Sequence, residues 1–340
     1  MLIDSPTHDA GNPLAAEAAA ASAEADGYDA FRVSETRHDP FVSLAIAARA
    51  TTGITLRSEI AVAFARNPMT MAVLANDIHL LSAGRFQLGL GSQVRPHIER
   101  RFSMPWSEPP ARMEEFIDAV RAIWDSWANG TRLAFRGKHY RHTLMTDFFD
   151  PGPNPHGNPA IMLAAVGERM TAVAGRAADG LLCHSFTTAA YLRERTIPSL
   201  QAARGSLAGF TVCLPVLAVI GADPAARGVA EAGVRRQIAF YASTPAYRPV
   251  LELHGWGDLG DRLNLMSRRG QWADMGDLVT DEVLDAFAVS GTPDEVAAAI
   301  EARFGEWVTR LSLYTPYPVD PADVRATVAA LRSQPEPSPA

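Results

Sequence analysis

Glu35 and His38 stand three residues apart in "VSETRHDP", just past a strand-like run. A carboxylate near an imidazole can tune a proton donor close to neutral pH, so this is the best acid/base pair in the chain by residue type. The plainer alternative is a helix start, in which Asp39 caps, Pro40 occupies the first turn and His38 only flanks them. A second stretch, "AAVGERM" at 164–170, sets Ala164, Ala165 and Val166 before Gly167. Small residues let the backbone approach a ligand, and helix N-terminal amides favour a phosphate. The alternative there is a glycine that merely relieves a tight turn. A third stretch, "GRFQLGLGSQVRPH" at 84–97, joins Gly89 and Gly91 to Ser92, Gln93 and His97. A dinucleotide fingerprint needs a third glycine at position 94, which is Val94. His184 follows Cys183 at the end of an apolar run, where a lone histidine is as often structural as functional.

Other chemistries lack their residues. The nine histidines show no metal-ligand spacing. His79, between Ile78 and Leu80, reads as structural. There is no phosphate-binding P-loop, no Gly-x-Ser-x-Gly elbow and no cysteine nucleophile pattern. Cys183 and Cys213 match no metal or redox spacing and read as two buried thiols in a reducing compartment. The formal net charge is −7, and no basic stretch is interleaved with aromatics, which argues against nucleic acid. The Ala-rich start "PLAAEAAAASAEADG" carries Glu17, Glu24 and Asp26, unlike a leader, and no run of about 18 apolar residues exists to span a membrane. The expected location is cytoplasmic.

The elements that must position these residues follow one local grammar. Asn12-Pro13, Asp39-Pro40 and Asn67-Pro68 each pair an N-cap with proline, and an apolar helical stretch follows. Gly27, Gly53 and Gly84 are expected to end those helices, and each precedes a strand-like run. Such units in series require parallel strands with helical crossovers. Continued through "PAIMLAA", "LLCHSF", "GFTVCLPVLAVIG" and "EWVTRLSLYTP", with a strand at "MLIDSP", the pattern predicts an α/β fold, a (β/α)8 TIM barrel with insertion segments. A doubly wound open sheet is the runner-up, but its glycine fingerprint is missing after the first strand. The expected organisation is a single domain over 1–330 and a disordered tail over 331–340. Inserts at about 131–159 and 243–290, the first a hairpin turning at Arg136–Lys138, are expected to line a substrate pocket. Barrel sites lie at the C-terminal strand ends. Those ends carry Glu35 and Thr36; Glu59, Ile60 and Ala61; Gly91, Ser92 and Gln93; Ala164 to Gly167; His184; and Tyr314.

"GYDAFRVSETRHDPF", "AVAFARNPMTMA", "LSAGRFQLGLGSQVRPHIERRFSMPW" and "AAVGERMTAVAGRAADG" together resemble the bacterial luciferase-like monooxygenase superfamily, in its coenzyme F420-dependent oxidoreductase branch. The resemblance implies a cleft that binds F420 or FMN and hydride transfer between the deazaflavin C5 and a small organic substrate. It implies a non-proline cis peptide at Glu59-Ile60 or Ile60-Ala61, bulging toward the ring. Glu35 or Thr36 would lie beside the reactive edge, with Gly91 and Ser92 in the strand-four loop. His97 stands where that loop often supplies an asparagine. The turn Ala164–Gly167, followed by Met170, would hold the ribityl-phosphate end. Glu35 and His38 are the expected proton-transfer residues, and His184 is a further candidate. Members are often homodimers through the helices on strands two and three. The alternatives are a two-component FMN monooxygenase using reduced flavin and O2, and a non-catalytic flavin- or deazaflavin-binding protein.

Overall fold

Eight parallel strands form the frame of this computed structural model, which describes residues 1–6, 8–9, 12–221 and 223–334. They are β1 (Leu2–Ile3), β2 (Ala30–Ser34), β3 (Thr55–Ser58), β4 (Phe86–Gly91), β5 (Ala160–Ala165), β6 (Gly180–Cys183), β7 (Thr211–Ile220) and β8 (Arg310–Tyr314). The sheet runs β1-β8-β7-β6-β5-β4-β3-β2, and a bridge from Asp4 to Ala30 joins its ends. The result is the expected TIM barrel, not the doubly wound open sheet that was its runner-up. β7 is long enough to pair with β8 over its first half and to carry a short strand, Ala288–Gly291, on its second.

Local sequence fixes the crossovers. The helices facing β1 to β4 are α1 (Ala16–Ala25), α2 (Pro40–Ala50), α3 (Pro68–Leu81) and α4 (Pro109–Asn129). Asp39 and Asn67 cap α2 and α3 through side-chain oxygens that accept from Phe41 and Thr70 amides at 2.8 and 2.9 Å. Gly27 and Gly84 leave their helices with φ of 78° and 86°, conformations that a side chain would strain. Gly53 does not share that role. α2 ends at Ala50, and the Glu24 carboxylate accepts the amides of Thr52, Gly53 and Ile54 at 3.0, 2.6 and 2.9 Å. A carboxylate from α1 therefore does there what a left-handed glycine does elsewhere.

The second half continues with α5 (Glu168–Ala177), α6 (Ile197–Arg204), α7 (Pro224–Ala242), α8 (Pro293–Phe304) and α9 (Pro321–Arg332). α8 opens with the expected capping box of Thr292 and Glu295. The first residues of the expected tail are helical: α9 runs to Arg332 and buries Leu331, while Arg332 bonds the Gly27 carbonyl and Asp29. Positions 335–340 of that tail lie outside the described residues.

The two inserts pack differently. Short helices at 248–253, 257–268 and 281–287 share a core with α7 and Phe186 on the mouth side of β6 and β7. The other insert forms the expected hairpin, Phe135–Arg136 against Arg141–His142, on the outside of α4. Glu115 of α4 accepts the amides of Lys138, His139 and Tyr140 there. Glu115 thus braces the hairpin turn against α4.

Candidate active site

The barrel floor is ionic. Asp4 binds Arg57 and Arg310, and Glu59 binds Arg32 and Arg57, the last at 2.9 and 3.0 Å. Arg57 also reaches Gln87 at 3.1 Å, and Arg32 reaches the Ser5 carbonyl. All five charged side chains are 10% exposed or less. Burial alone would raise the Asp4 pKa, but the Arg57 and Arg310 charges hold it below the ordinary value. Glu59, expected near a cofactor, thus has its carboxylate committed to the floor.

Above the floor, β3 bulges. The Glu59–Ile60 peptide is cis, the first of the two expected positions. The Glu59 carbonyl accepts from Ser34 Oγ at 2.7 Å, and the Ile60 carbonyl accepts from the Glu35 amide at 3.1 Å. Ile60 packs inward with Met162, Leu182, Cys213 and Ala164. The β4 glycines make room for this bulge. A Cβ on Gly89 would lie 1.8 Å from the Ser58 carbonyl, and one on Gly91 would lie 2.8 Å from Ile60 Cδ1. Their immediate neighbours are therefore β3 backbone and Ile60. Ala61, fully buried, pairs with Leu90 just beyond the bulge.

The expected Glu35–His38 pair is not brought together. Glu35 Oε2 accepts from the Val62 amide and from Arg66, both at 2.7 Å, and Arg66 also binds Asp39. Burial opposes charge on Arg66, but the Glu35 and Asp39 carboxylates raise its pKa. Glu35 is therefore a strut between the β2 loop and the bulge, while His38 is exposed on the rim. The Thr36 carbonyl accepts from Arg101 at 2.7 Å, which ties the β2 and β4 loops together. Ser92 bonds the Gln93 carbonyl, and His97 is exposed on the short helix Arg95–Arg100.

The β5 turn is open. Ala164 and Val166 are half-buried and Ala165 is buried. Gly167 is the N-cap of α5 with no side-chain cap, and a Cβ there would meet nothing within 4 Å. Met170 returns its amide to the Gly167 carbonyl at 3.1 Å. The uncapped first turn leaves the α5 N-terminus to an outside acceptor, so the residues present fit a phosphate-bearing group.

The opposite wall is aromatic. His184 Nδ1 accepts from the Phe186 amide at 3.0 Å, and Nε2 lies 3.2 Å from the Tyr247 hydroxyl. The Tyr241 ring meets His184 edge-on at 4.6 Å, and the Tyr241 and Tyr314 hydroxyls are 3.2 Å apart. Burial lowers the His184 pKa to about 4 and raises that of Tyr247 to about 12. These groups are neutral across ordinary pH. Sequence reasoning named His184 and Tyr314 as strand ends but missed Tyr241 and Tyr247. The available signal was that the chain has only seven tyrosines, two of them in "FYASTPAY" at the start of an insert. A cavity of about 270 Å3 beside Leu2 and Thr309 lies at the opposite, strand-starting end. Among the described residues no helix is long and apolar enough to cross a membrane.

Comparison with known proteins places this architecture. A family model described as luciferase-like monooxygenase matches residues 3–310. An uncharacterized protein of Mycobacterium tuberculosis is 48% identical over 299 residues, covering 86% of this chain and 87% of the other. A putative coenzyme F420-dependent oxidoreductase of the same organism is 28% identical, covering 81% of this chain and 83% of its own. The coenzyme F420-dependent tetrahydromethanopterin reductase of Methanopyrus kandleri superposes with a TM-score of 0.76 at 20% identity, covering 98% and 97% of the two chains.

Proposed function

The chain belongs to the luciferase-like monooxygenase family and is an oxidoreductase, and from that premise we propose that its cofactor is coenzyme F420 and its reaction hydride transfer to or from a small organic substrate. The open N-terminus of α5 beside the Ile60 bulge carries this reading, and the F420 dependence in the names of two similar proteins favours the deazaflavin. When bound, F420 supplies the hydride-exchanging carbon. This chain supplies the seat. Ile60 shapes one face of the cleft, held from behind by Gly91 and from the side by Ser34 and Glu35. The Gly167 turn and the first amides of α5 receive the phosphate. Of the two residues flagged for proton transfer, Glu35 is committed to Val62 and Arg66, which makes it a positioning residue. His38 keeps an exposed imidazole at the rim and is the candidate to exchange a proton.

Titrating the purified chain with F420 and with FMN, followed by fluorescence, tests the cofactor. Saturable F420 binding with much weaker FMN binding is expected. Tight FMN binding without F420 affinity overturns the reading in favour of a flavin monooxygenase. We also propose a homodimer through α2 and α3, whose outer faces leave Val42, Val73, Leu80 and Leu81 exposed. A monomer in analytical sedimentation at micromolar concentration would remove that part.

A further inference from the structure

His184, Tyr241, Tyr247 and Tyr314 come from the residue after β6, α7, the 243–290 insert and β8, and they meet over the barrel mouth. His184 directly follows β6, two residues beyond Leu182, whose side chain packs with Ile60 inside the barrel. The wall therefore stands above the layer that contains the bulge.

Its hydrogen-bond inventory does not close on itself. His184 Nδ1 accepts the Phe186 amide, so the ring hydrogen is on Nε2 and points at the Tyr247 oxygen. Tyr247 then acts as acceptor, and its own hydroxyl hydrogen is uncommitted. Tyr241 and Tyr314 share one hydrogen between two oxygens, which leaves a second hydroxyl hydrogen uncommitted. The Tyr241 and Tyr247 ring centroids are 6.1 Å apart, which places both rings in one patch. No charged side chain takes part in the ring or hydroxyl contacts of these four residues among the described ones. The His184 pKa is lowered by burial alone, and that of Tyr247 is raised by burial and then by Tyr241, so no ionic neighbour shapes either.

We propose that this wall is the substrate subsite and that it selects an uncharged, flat carbonyl compound, whose oxygen accepts the two spare hydroxyls while its body lies against the aromatic rings. The proposal rests on the reading of the mouth as the redox site. Two neutral O–H donors match the two lone pairs of a carbonyl oxygen. A carboxylate would be buried there without a cation, and desolvation penalises that. The half-buried rings of Tyr241 and Tyr247, backed by the fully buried Phe186, offer an aromatic surface to a planar body.

The experiment uses the full chain with two probes of similar shape, acetophenone and benzoate, titrated by calorimetry with and without F420. Wild-type protein is expected to bind acetophenone at least about ten-fold more tightly than benzoate. Tyr247→Phe and the double variant Tyr241→Phe/Tyr314→Phe keep the ring contacts, and each removes one spare hydroxyl hydrogen. Each should weaken acetophenone by roughly 2- to 10-fold, the worth of one neutral hydrogen bond, with the near-ultraviolet circular dichroism preserved. Unchanged affinity in both variants, a preference for benzoate, or no binding of either probe overturns the proposal. The F420 titration is read separately. Hydroxyl-dependent acetophenone binding without F420 affinity leaves the subsite standing and removes the cofactor reading, and F420 binding with hydroxyl-independent acetophenone binding does the reverse.

Discussion

The floor and the mouth of this barrel bury polar groups by opposite means. On the floor, Asp4 and Glu59 are matched against Arg32, Arg57 and Arg310, and every carboxylate has more than one guanidinium donor. At the mouth, burial favours the neutral forms of His184, Tyr247 and Tyr314, and together with Tyr241 they make fewer bonds than they can. Charge removed from water costs several kcal/mol per ion unless it is paired, and a paired lattice has little left to offer a ligand. A neutral group costs less to bury and can keep a donor in reserve. The difference separates what holds the barrel together from what can receive a substrate.

The largest effect should come from unbalancing the floor. Asp4→Ala leaves three guanidiniums facing Glu59 alone, and the expected loss is about 3–5 kcal/mol in urea unfolding. Arg57→Met is the informative control, because it leaves Asp4 with Arg310 and Glu59 with Arg32, one to one. It should cost distinctly less than Asp4→Ala. Equal losses would mean that packing rather than charge balance governs the floor.

Acid should then separate the two layers by pH. His184 has a pKa of about 4 in the fold against 6.5 unperturbed. Between those values the unfolded chain takes up a proton that the folded chain refuses. The stability it contributes is whole above pH 6.5 and falls as pH drops toward 4, by at most about 3 kcal/mol. Asp4 works in a lower window. Its pKa is depressed below 3.8, so its contribution persists above that value and is lost only as pH falls further. His79, His142 and His254 are also lowered by burial and bend the same curve in the same direction, so the measurement is a difference. His184→Asn should flatten the slope between pH 6.5 and 4 relative to wild type and leave the lower phase in place. An unchanged slope would show that His184 is not held neutral by the wall.

The strand ends and caps were legible because each is written locally, in an alternation or an Asx-Pro pair, whereas the bulge came only from the family resemblance, which left two positions open. The pairings across the barrel were not legible. Arg66 is 31 residues from Glu35, Tyr247 is 63 from His184, and Tyr314 is 73 from Tyr241. Such distances in sequence become contacts only once the ring closes, so type and spacing suggested the nearby His38 as the partner of Glu35. Gly53 misled for the opposite reason. A glycine at a helix end satisfies the local rule, but Glu24 from another helix had already taken the amides. The hairpin at the start of the 131–159 insert was legible, but not the 23- to 25-residue reach from Glu115 that fixes its turn.

Glu35 lies between the two regimes, a charged group placed at the neutral mouth. Glu35→Gln keeps the shape but turns the bond from Arg66 into one between an ion and a neutral acceptor, and Arg66 retains Asp39. The expected loss is about 1–2 kcal/mol in thermal or urea unfolding, smaller than any floor vacancy. A strut that sets the bulge should also weaken F420 binding without shifting the pH profile of turnover. A shifted profile would restore Glu35 as the acid/base group that the sequence suggested.

The smallest change in stability should come with the clearest change in function. Gly167 is the N-cap of α5, its φ is −90°, and open space surrounds the position of a Cβ. Aspartate is tolerated by that backbone, is a better cap than glycine and places negative charge at the positive end of the helix. Gly167→Asp is therefore expected to stabilise the protein by about 0.5 kcal/mol. The same carboxylate would occupy the amides offered to a phosphate and repel it, so F420 affinity should fall by an order of magnitude or more. Gly167→Ala fills the same space without the charge or the cap bond, and it should leave F420 binding close to wild type. Opposite signs for stability and cofactor binding are a result that ordinary misfolding cannot produce, since a damaged fold loses both. If Gly167→Asp bound F420 as tightly as wild type, the α5 N-terminus would be only a helix start that lacks a cap. The phosphate would then have to sit elsewhere on the mouth.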